Sequence, residues 1–240
     1  MLTTVLLHSF GCSILNQYSE IIFDSKMGRT KNRPLVTGYF DIKKAFWIGI
    51  FFIITSIFIP LFCGKYSVAL IYLINFFIYN IIYTKLKRKT SFALIIGSIS
   101  GALPPIIGWL IGEYTINKDI LPISGVFYLW QVPHFLFLTE SYKDDYINAG
   151  FKVLINEIDS YVYSFMKRIW LLAYFMGLIY VLIFKNGLKL SNLIFVFIEI
   201  LLFSVLFCKK DKSDINFILL NISIIIFIID LIYNLYQLQL

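Results

Sequence analysis

"NQYSEIIFDSKMGRTKNRPL", residues 16–35, gathers acids and bases in a chain that is otherwise mostly apolar. Before it stand Val5, Leu6, Leu7 and Phe10; after it runs "AFWIGIFFIITSIFIPLFC" (45–63), nearly free of polarity. Asn16, Glu20 and Asp24 follow one another at four-residue spacing. Each step of four turns an α-helix by ~400°, so the three drift by only ~40° per step and share one face. Lys26, Arg29, Lys31 and Arg33 come directly afterwards.

The surroundings of this segment decide the fold class. Of 240 residues, 59% are hydrophobic and only 15% charged, with a mean hydropathy of +0.81. A soluble domain is ~45–50% apolar and ~25% charged, so this chain needs lipid as its solvent. Its apolar runs are continuous and lack the alternation of a transmembrane barrel, so helices are expected. A crossing helix needs ~20 apolar residues. Spans are predicted over 3–23, 42–63, 66–83, 91–111, 121–141, 163–184, 190–207 and 216–237. The fold class is therefore all-α, a polytopic bundle of about eight transmembrane helices in a single integral-membrane domain, 1–240. The N-terminal run lacks a basic flank and a small-residue cleavage site, so no removable signal peptide is expected. Cys12, Cys63 and Cys208 are scattered and read as small apolar helix residues.

The net charge of +7 is explained by topology, and nucleic acid is not expected as a partner. Polar segments after the odd-numbered spans hold most of the 21 Lys and Arg. They are Lys26, Arg29, Lys31, Arg33, Lys43 and Lys44; Lys85, Lys87, Arg88 and Lys89; Lys143, Lys152, Lys167 and Arg168; and Lys209, Lys210 and Lys212. The remaining loops hold only Lys65, Lys118, Lys185 and Lys189. Excess Lys and Arg mark cytoplasmic loops, which places both ends of this sequence on the opposite side.

The 16–24 face then acquires a chemical reading. Stacked oxygen ligands suit a hard cation such as Mg²⁺, which binds through carboxylates together with substrate phosphates. The following bases suit phosphate oxygens, with Arg the better bidentate partner. The plain alternative is a frayed helix end with anchoring bases, but Glu20 lies deeper than an anchor requires. "YTKLKRKT" (83–90) sets Tyr83 and Lys87 one turn apart, and "WQVPHFLFLTESYKDDYINAG" (130–150) adds His134, Glu140, Asp144 and Asp145. Glu140 and Asp144 repeat the four-residue spacing. Pro133 is expected to bend or start the helix before His134. For His134 itself, packing in a bundle interior and contact with a substrate remain equally open.

These segments resemble the signatures of the UbiA superfamily of intramembrane prenyltransferases. Residues 16–35 match N-x-x-x-D-x-x-x-D-x-x-M-x-R-T-x-x-R-P-L, with Glu20 in place of the first Asp. "IIGSISGALPPIIGW" (95–109), "WQVPHF" (130–135) and "DDYINAG" (144–150) resemble the branch that farnesylates haem, the haem O synthases. The likeness runs over about residues 5–155; the remaining tail is apolar and carries no motif. There are further departures. "YTKLKRKT" is one residue shorter than the usual spacing, leaving Lys87 and Arg88 as alternatives, and Lys152 replaces a proline. The family carries nine helices, and the one preceding the first acidic motif is missing from this sequence.

The resemblance implies a bundle with a central cavity open to lipid, in which a prenyl diphosphate is ionised with Mg²⁺. It implies farnesyl diphosphate as donor and haem b as acceptor, a substrate rather than a cofactor. Asn16, Glu20 and Asp24 would hold one Mg²⁺, and Asp144 and Asp145 a second. Arg29, Arg33 and Lys87 would stabilise the leaving diphosphate beside Tyr83, with Lys31, Arg88 and His134 as further substrate contacts. Implied too are a bacterial inner-membrane setting, with the mitochondrial inner membrane second, and a haem A synthase or cytochrome oxidase assembly factor as protein partner. Alternatives are a relative with an aromatic or polycyclic acceptor, and an inactive remnant that binds lipid or haem.

Overall fold

A computed structural model describes residues 1–112, 115–185, 189–208 and 213–237, which fold as helices with no strand among them. The chain forms two compact units, Met1–Ile116 with Tyr142–Glu157, and Asn117–Ser141 with Ile158–Leu240.

The first unit holds α1 (Leu2–Asp24), α2 (Ile42–Phe62), α3 (Tyr66–Leu86) and α4 (Ala93–Gly112). Helix α1 is inside-out by the standards of a soluble protein. Its buried face is Thr4, His8, Gly11, Cys12, Leu15, Asn16, Glu20 and Asp24, while Leu6, Phe10 and Ile22 are more than half exposed. Polar groups buried and apolar groups outward is the arrangement that lipid imposes. The buried face follows three- and four-residue steps, so the shared face predicted for Asn16, Glu20 and Asp24 is realised.

Helices α1 and α2 approach through two glycines. A Cβ on Gly11 would stand 2.9 Å from the Ile53 side chain, and one on Gly49 would stand 2.8 Å from Leu15. Each helix therefore seats an apolar side chain over the other's glycine, a small-residue contact of the kind that packs membrane helices. Helix α3 is held to α1 by polar contacts. The His8 ring stacks on Tyr72 with centroids 4.5 Å apart, and its two nitrogens meet Ser56 Oγ and Asn75 Nδ2, each at 3.1 Å. Asn80 Nδ2 donates to the Cys12 carbonyl at 2.9 Å.

Between Phe77 and Tyr83, helix α3 widens into a π-helix. Thr84 Oγ donates to the carbonyl of Tyr79 at 2.9 Å, satisfying an acceptor inside the wide turn. Tyr79 and Tyr83 stack at 5.7 Å. Gly97 of α4 makes room for the second ring: a Cβ there would lie 2.7 Å from it.

Two short helices complete the unit, α6 (Lys143–Ala149) and α7 (Leu154–Glu157). Gly150 closes α6 at φ 86°, a left-handed conformation that glycine adopts freely. Met27, Phe23, Tyr146, Ala149 and Phe151 form one apolar cluster, which ties α6 to the chain just beyond α1.

The second unit holds α5 (Ile120–Ser141), α8 (Ser160–Tyr180, continued by a π-helix over Val181–Lys185), α9 (Leu190–Cys208) and α10 (Ser213–Gln237). Its core includes Val126, Phe137, Leu171, Tyr174, Leu178, Leu220 and Phe227. Polar links cross it. Ser223 Oγ lies 2.6 Å from Glu199 Oε2 and 2.7 Å from the Tyr174 hydroxyl, and Asn234 Nδ2 donates to Asn192 Oδ1 at 3.1 Å. The sequence offered no motif for this tail, because these partners lie on separate helices.

Among the described residues, α2, α3, α4, α5, α8 and α10 are long and apolar enough to cross a membrane, and the apolar part of α9, Ser191–Phe207, is shorter. Helix α1 has the length, 23 residues, but its buried polar face lowers its hydropathy. All eight predicted spans coincide with long helices, with ends shifted by up to about three residues. The chain is thus an integral, multi-pass membrane protein. Two expectations change. Helix α5 runs through Pro133 rather than starting there. Lys167 and Arg168 lie inside α8, not in a loop. Lys209, Lys210 and Lys212, expected in a loop, lie outside the described residues.

Candidate active site

The acidic face of α1 ends in a cluster built wholly within the first unit. Glu20 and Asp24 have side chains only 5% exposed, and each is met by a base. Lys87 Nζ stands 2.6 Å from Glu20 Oε1, and Arg33 donates to Asp24 Oδ2 at 2.6 Å. A base at such range compensates each buried carboxylate, since an unpaired charge there would be strongly destabilising.

Local structure brings each base in. Arg33 returns to Asp24 because residues 25–40 fold as successive turns: Thr30 Oγ donates to the Asp24 carbonyl at 3.0 Å, and the Arg33 amide donates to the Thr30 carbonyl at 3.0 Å. Lys87 follows α3, and its ammonium sits 5.0 Å from the Tyr83 ring centroid and 5.3 Å from that of Phe151. Burial pulls the Lys87 ammonium below its ordinary pKa, an effect opposed by Glu20 and Asp24 and reinforced by Arg88. Arg88 instead lies against the side of α1, donating to the Ser19 carbonyl at 2.8 Å with its guanidinium 4.4 Å from the Phe23 ring. Of the two alternatives left by the sequence, Lys87 is the one that pairs with a carboxylate.

Asn16 lies a turn deeper and donates through Nδ2 to Thr84 Oγ at 3.3 Å. On the other side of the cluster, Asp145 Oδ2 accepts the backbone N–H of Arg29 at 3.1 Å. A Cβ on Gly28 would lie 3.3 Å from the same carboxylate, so the small residue permits the approach. The Arg29 guanidinium lies 5.4 Å from the Tyr142 ring. Burial raises the pKa of the neighbouring Tyr146 phenol; Arg29 opposes this, Glu20 adds to it and Arg33 opposes it.

Asn16, Glu20, Asp24, Arg29, Arg33, Tyr83, Lys87 and Asp145 are therefore brought into one region. Other expected members are not. Asp144 and Lys31 are exposed. Glu140 and Asp144 do not share a helix face, because the chain breaks at Tyr142 (φ −115°, ψ 31°). Glu140 pairs with Lys167 at 2.7 Å in the second unit. His134 is also in the second unit. Its Nδ1 lies 3.1 Å from Asn221 Oδ1, and its ring lies between Trp130 at 4.6 Å and Phe217 at 4.8 Å. Because Asn221 Nδ2 donates to the Phe217 carbonyl at 2.7 Å, its Oδ1 faces the imidazole as acceptor.

The donor set suits a hard cation, being all oxygen from carboxylates and an amide. Among the described residues, however, no group of three or more acids, histidines or cysteines is already arranged around one metal position. The carboxylates are engaged by protein bases instead. Reading from the sequence missed Met27, Gly28, Thr84, Gly97, Tyr146 and Phe151 as supports of this cluster. Only the "DDYINAG" match pointed towards Tyr146.

Comparison with known proteins agrees with this architecture. A family model described as the UbiA prenyltransferase family matches residues 1–234. The chain is 39% identical over 171 residues to a protoheme IX farnesyltransferase of Geobacter sulfurreducens, covering 71% of this chain and 63% of that protein. It is 32% identical over 175 residues to that of Oleidesulfovibrio alaskensis, covering 72% and 62%. For the protein of the same name from Aquifex aeolicus the identity is 34% over 213 residues, covering 85% and 71%. The chain thus spans about three fifths of the length of the first two relatives. In fold it is similar to the apo structure of a UbiA homolog from Aeropyrum pernix K1, with a TM-score of 0.76 at 15% identity, covering 97% of this chain and 87% of that one.

Proposed function

The chain belongs to the UbiA prenyltransferase family, and from that premise we propose that it transfers a farnesyl group from farnesyl diphosphate to a vinyl group of haem b, forming haem O. The observation that carries the reading is the pairing of Glu20 with Lys87 and Asp24 with Arg33 at one end of α1, with Asp145 docked on Arg29. Buried acids and bases side by side suit a metal–diphosphate, whose cation needs the one set and whose phosphates need the other. The named relatives supply the acceptor and the chain length of the donor.

In this mechanism the bases act on the leaving group. Lys87, Arg33 and Arg29 hold phosphate oxygens and stabilise the negative charge that grows as the allylic C–O bond breaks. Asn16, Glu20 and Asp24, with Asp145 on the other side, are the residues that would hold Mg²⁺, which supplies charge neutralisation without moving a proton. The Tyr83 face, beside Lys87, shields the allylic carbon from water. The farnesyl carbon then bonds to the vinyl terminus, and water adds at the carbon left electron-poor as a hydroxyl, its proton leaving with the diphosphate released beside haem O. The acidic-motif segments are assigned to the cytoplasmic side of the membrane from the distribution of Lys and Arg, and a bacterial inner membrane is the setting that the family resemblance implies.

The test is mass analysis of haems after expression with farnesyl diphosphate available. Haem b heavier by one farnesyl group and one hydroxyl group is expected. Unaltered haem b alongside consumed farnesyl diphosphate would move the acceptor to another aromatic or polycyclic compound, and unconsumed farnesyl diphosphate would sink the reading.

A further inference from the structure

The site neutralises itself. Glu20, Asp24 and Asp145 are matched in number by Lys87, Arg33 and Arg29, and the two most buried acids each hold a base at 2.6 Å. We infer that Mg²⁺ and diphosphate are admitted only as a pair, through a partner exchange in which Lys87 and Arg33 leave Glu20 and Asp24 for phosphate oxygens as the cation takes the carboxylates. This rests on the reading that the site takes a metal–diphosphate, and it adds how the site discriminates the complex from its parts.

The argument is electrostatic. A divalent cation arriving alone meets carboxylates already compensated, and must displace Lys87 and Arg33, whose side chains are only 18% and 30% exposed. Those bases would be left beside the new positive charge in a poorly solvated place. Diphosphate arriving alone takes the bases and strands two carboxylates that are 5% exposed. Together the two ligands restore the balance, because every buried charge again has an opposite partner. Geometry favours the exchange on the protein side. Lys87 is held on a flexible four-carbon stem, and Arg33 on a turn outside the helix, so both bases can move while the α1 carboxylates stay fixed. When diphosphate leaves, the same bases return to the acids, so release of product restores the paired site.

The test uses the full chain in lipid nanodiscs. Radiolabelled inorganic pyrophosphate is titrated with and without Mg²⁺, and Mn²⁺ is titrated by paramagnetic resonance with and without pyrophosphate, each against protein-free nanodiscs to subtract complexes formed in solution. Each ligand is expected to tighten the other by the same factor, at least about tenfold, within the usual range of site coupling. The decisive variant is Lys87→Met. It frees Glu20, so Mn²⁺ alone is expected to bind at least about fivefold tighter than to the wild type, while the mutual tightening shrinks. Arg33→Met reads the Asp24 pair in the same way should the first variant not fold. Joint binding with independent affinities, or no gain in Mn²⁺ affinity in either variant, overturns the exchange and leaves the proposed reaction standing. Failure of Mg²⁺ and pyrophosphate to bind together at all overturns both.

Discussion

Lys87 reaches Glu20 across the widened turn of α3, and the pair closes at 2.6 Å with little solvent around it. Removing one partner leaves the other as an uncompensated buried charge, so Lys87→Met and Glu20→Gln are each expected to destabilise the fold by about 3–5 kcal/mol. The double variant is expected to recover much of that loss. Chemical denaturation in mixed micelles checks the cycle, and additive losses would remove the coupling from the account.

Asp24→Asn keeps the volume of the side chain and deletes the charge that Arg33 and Mg²⁺ would share. Transfer at limiting Mg²⁺ is expected to fall by at least about a hundredfold, the scale on which one charge-stabilising group acts. Glu20→Asp restores the residue usual at that position, and Lys87 is long enough to follow a carboxylate withdrawn by one methylene. Turnover close to that of the unaltered chain is the expected result. Initial rates over a range of Mg²⁺ check both variants.

Gly97→Ala is a test of the support rather than of the chemistry. The added methyl would lie 2.7 Å from the Tyr83 ring, and Tyr83 carries Lys87 over its face. Overpacking of this kind costs about 1–3 kcal/mol. A lower Tm together with weaker pyrophosphate binding is expected; a lower Tm with unchanged binding would detach Tyr83 from the site.

His134 and Asn221 are expected to behave as a unit. Each alanine variant should lower stability by about 1–2 kcal/mol, and the pair by less than the sum, because either change abolishes the same hydrogen bond. Thermal unfolding reads that coupling. Haem titration of the same variants reads an acceptor contact separately, as a loss of haem affinity in His134→Ala that Asn221→Ala does not reproduce.

The residues show where a sequence speaks and where it falls silent. Runs of twenty apolar residues forecast the spans, since helix length against bilayer thickness is a local property. The common face of Asn16, Glu20 and Asp24 was legible for the same reason, resting only on helical periodicity. The identity of each carboxylate's base was not. Arg33 depends on a chain of turns, and Lys87 on a π-helix whose residues, "FIYNIIY", carry no marker of a widened turn. Asp144 and Asp145 are neighbours in sequence, yet one faces outward and the other docks beside Gly28, because one step along their shared helix turns the side chain by ~100°. His134 gained its partner from α10, 87 positions away.

Glu199 ties together the last two helices. It is wholly buried on α9, one oxygen bonded to Ser223 of α10 and the other without a hydrogen-bond partner among the described residues. A carboxyl group at membrane depth is expensive unless a neighbouring helix supplies a polar partner. Helix α10 brings that hydroxyl to α9, so each of the two helices depends on the other for its place in the lipid.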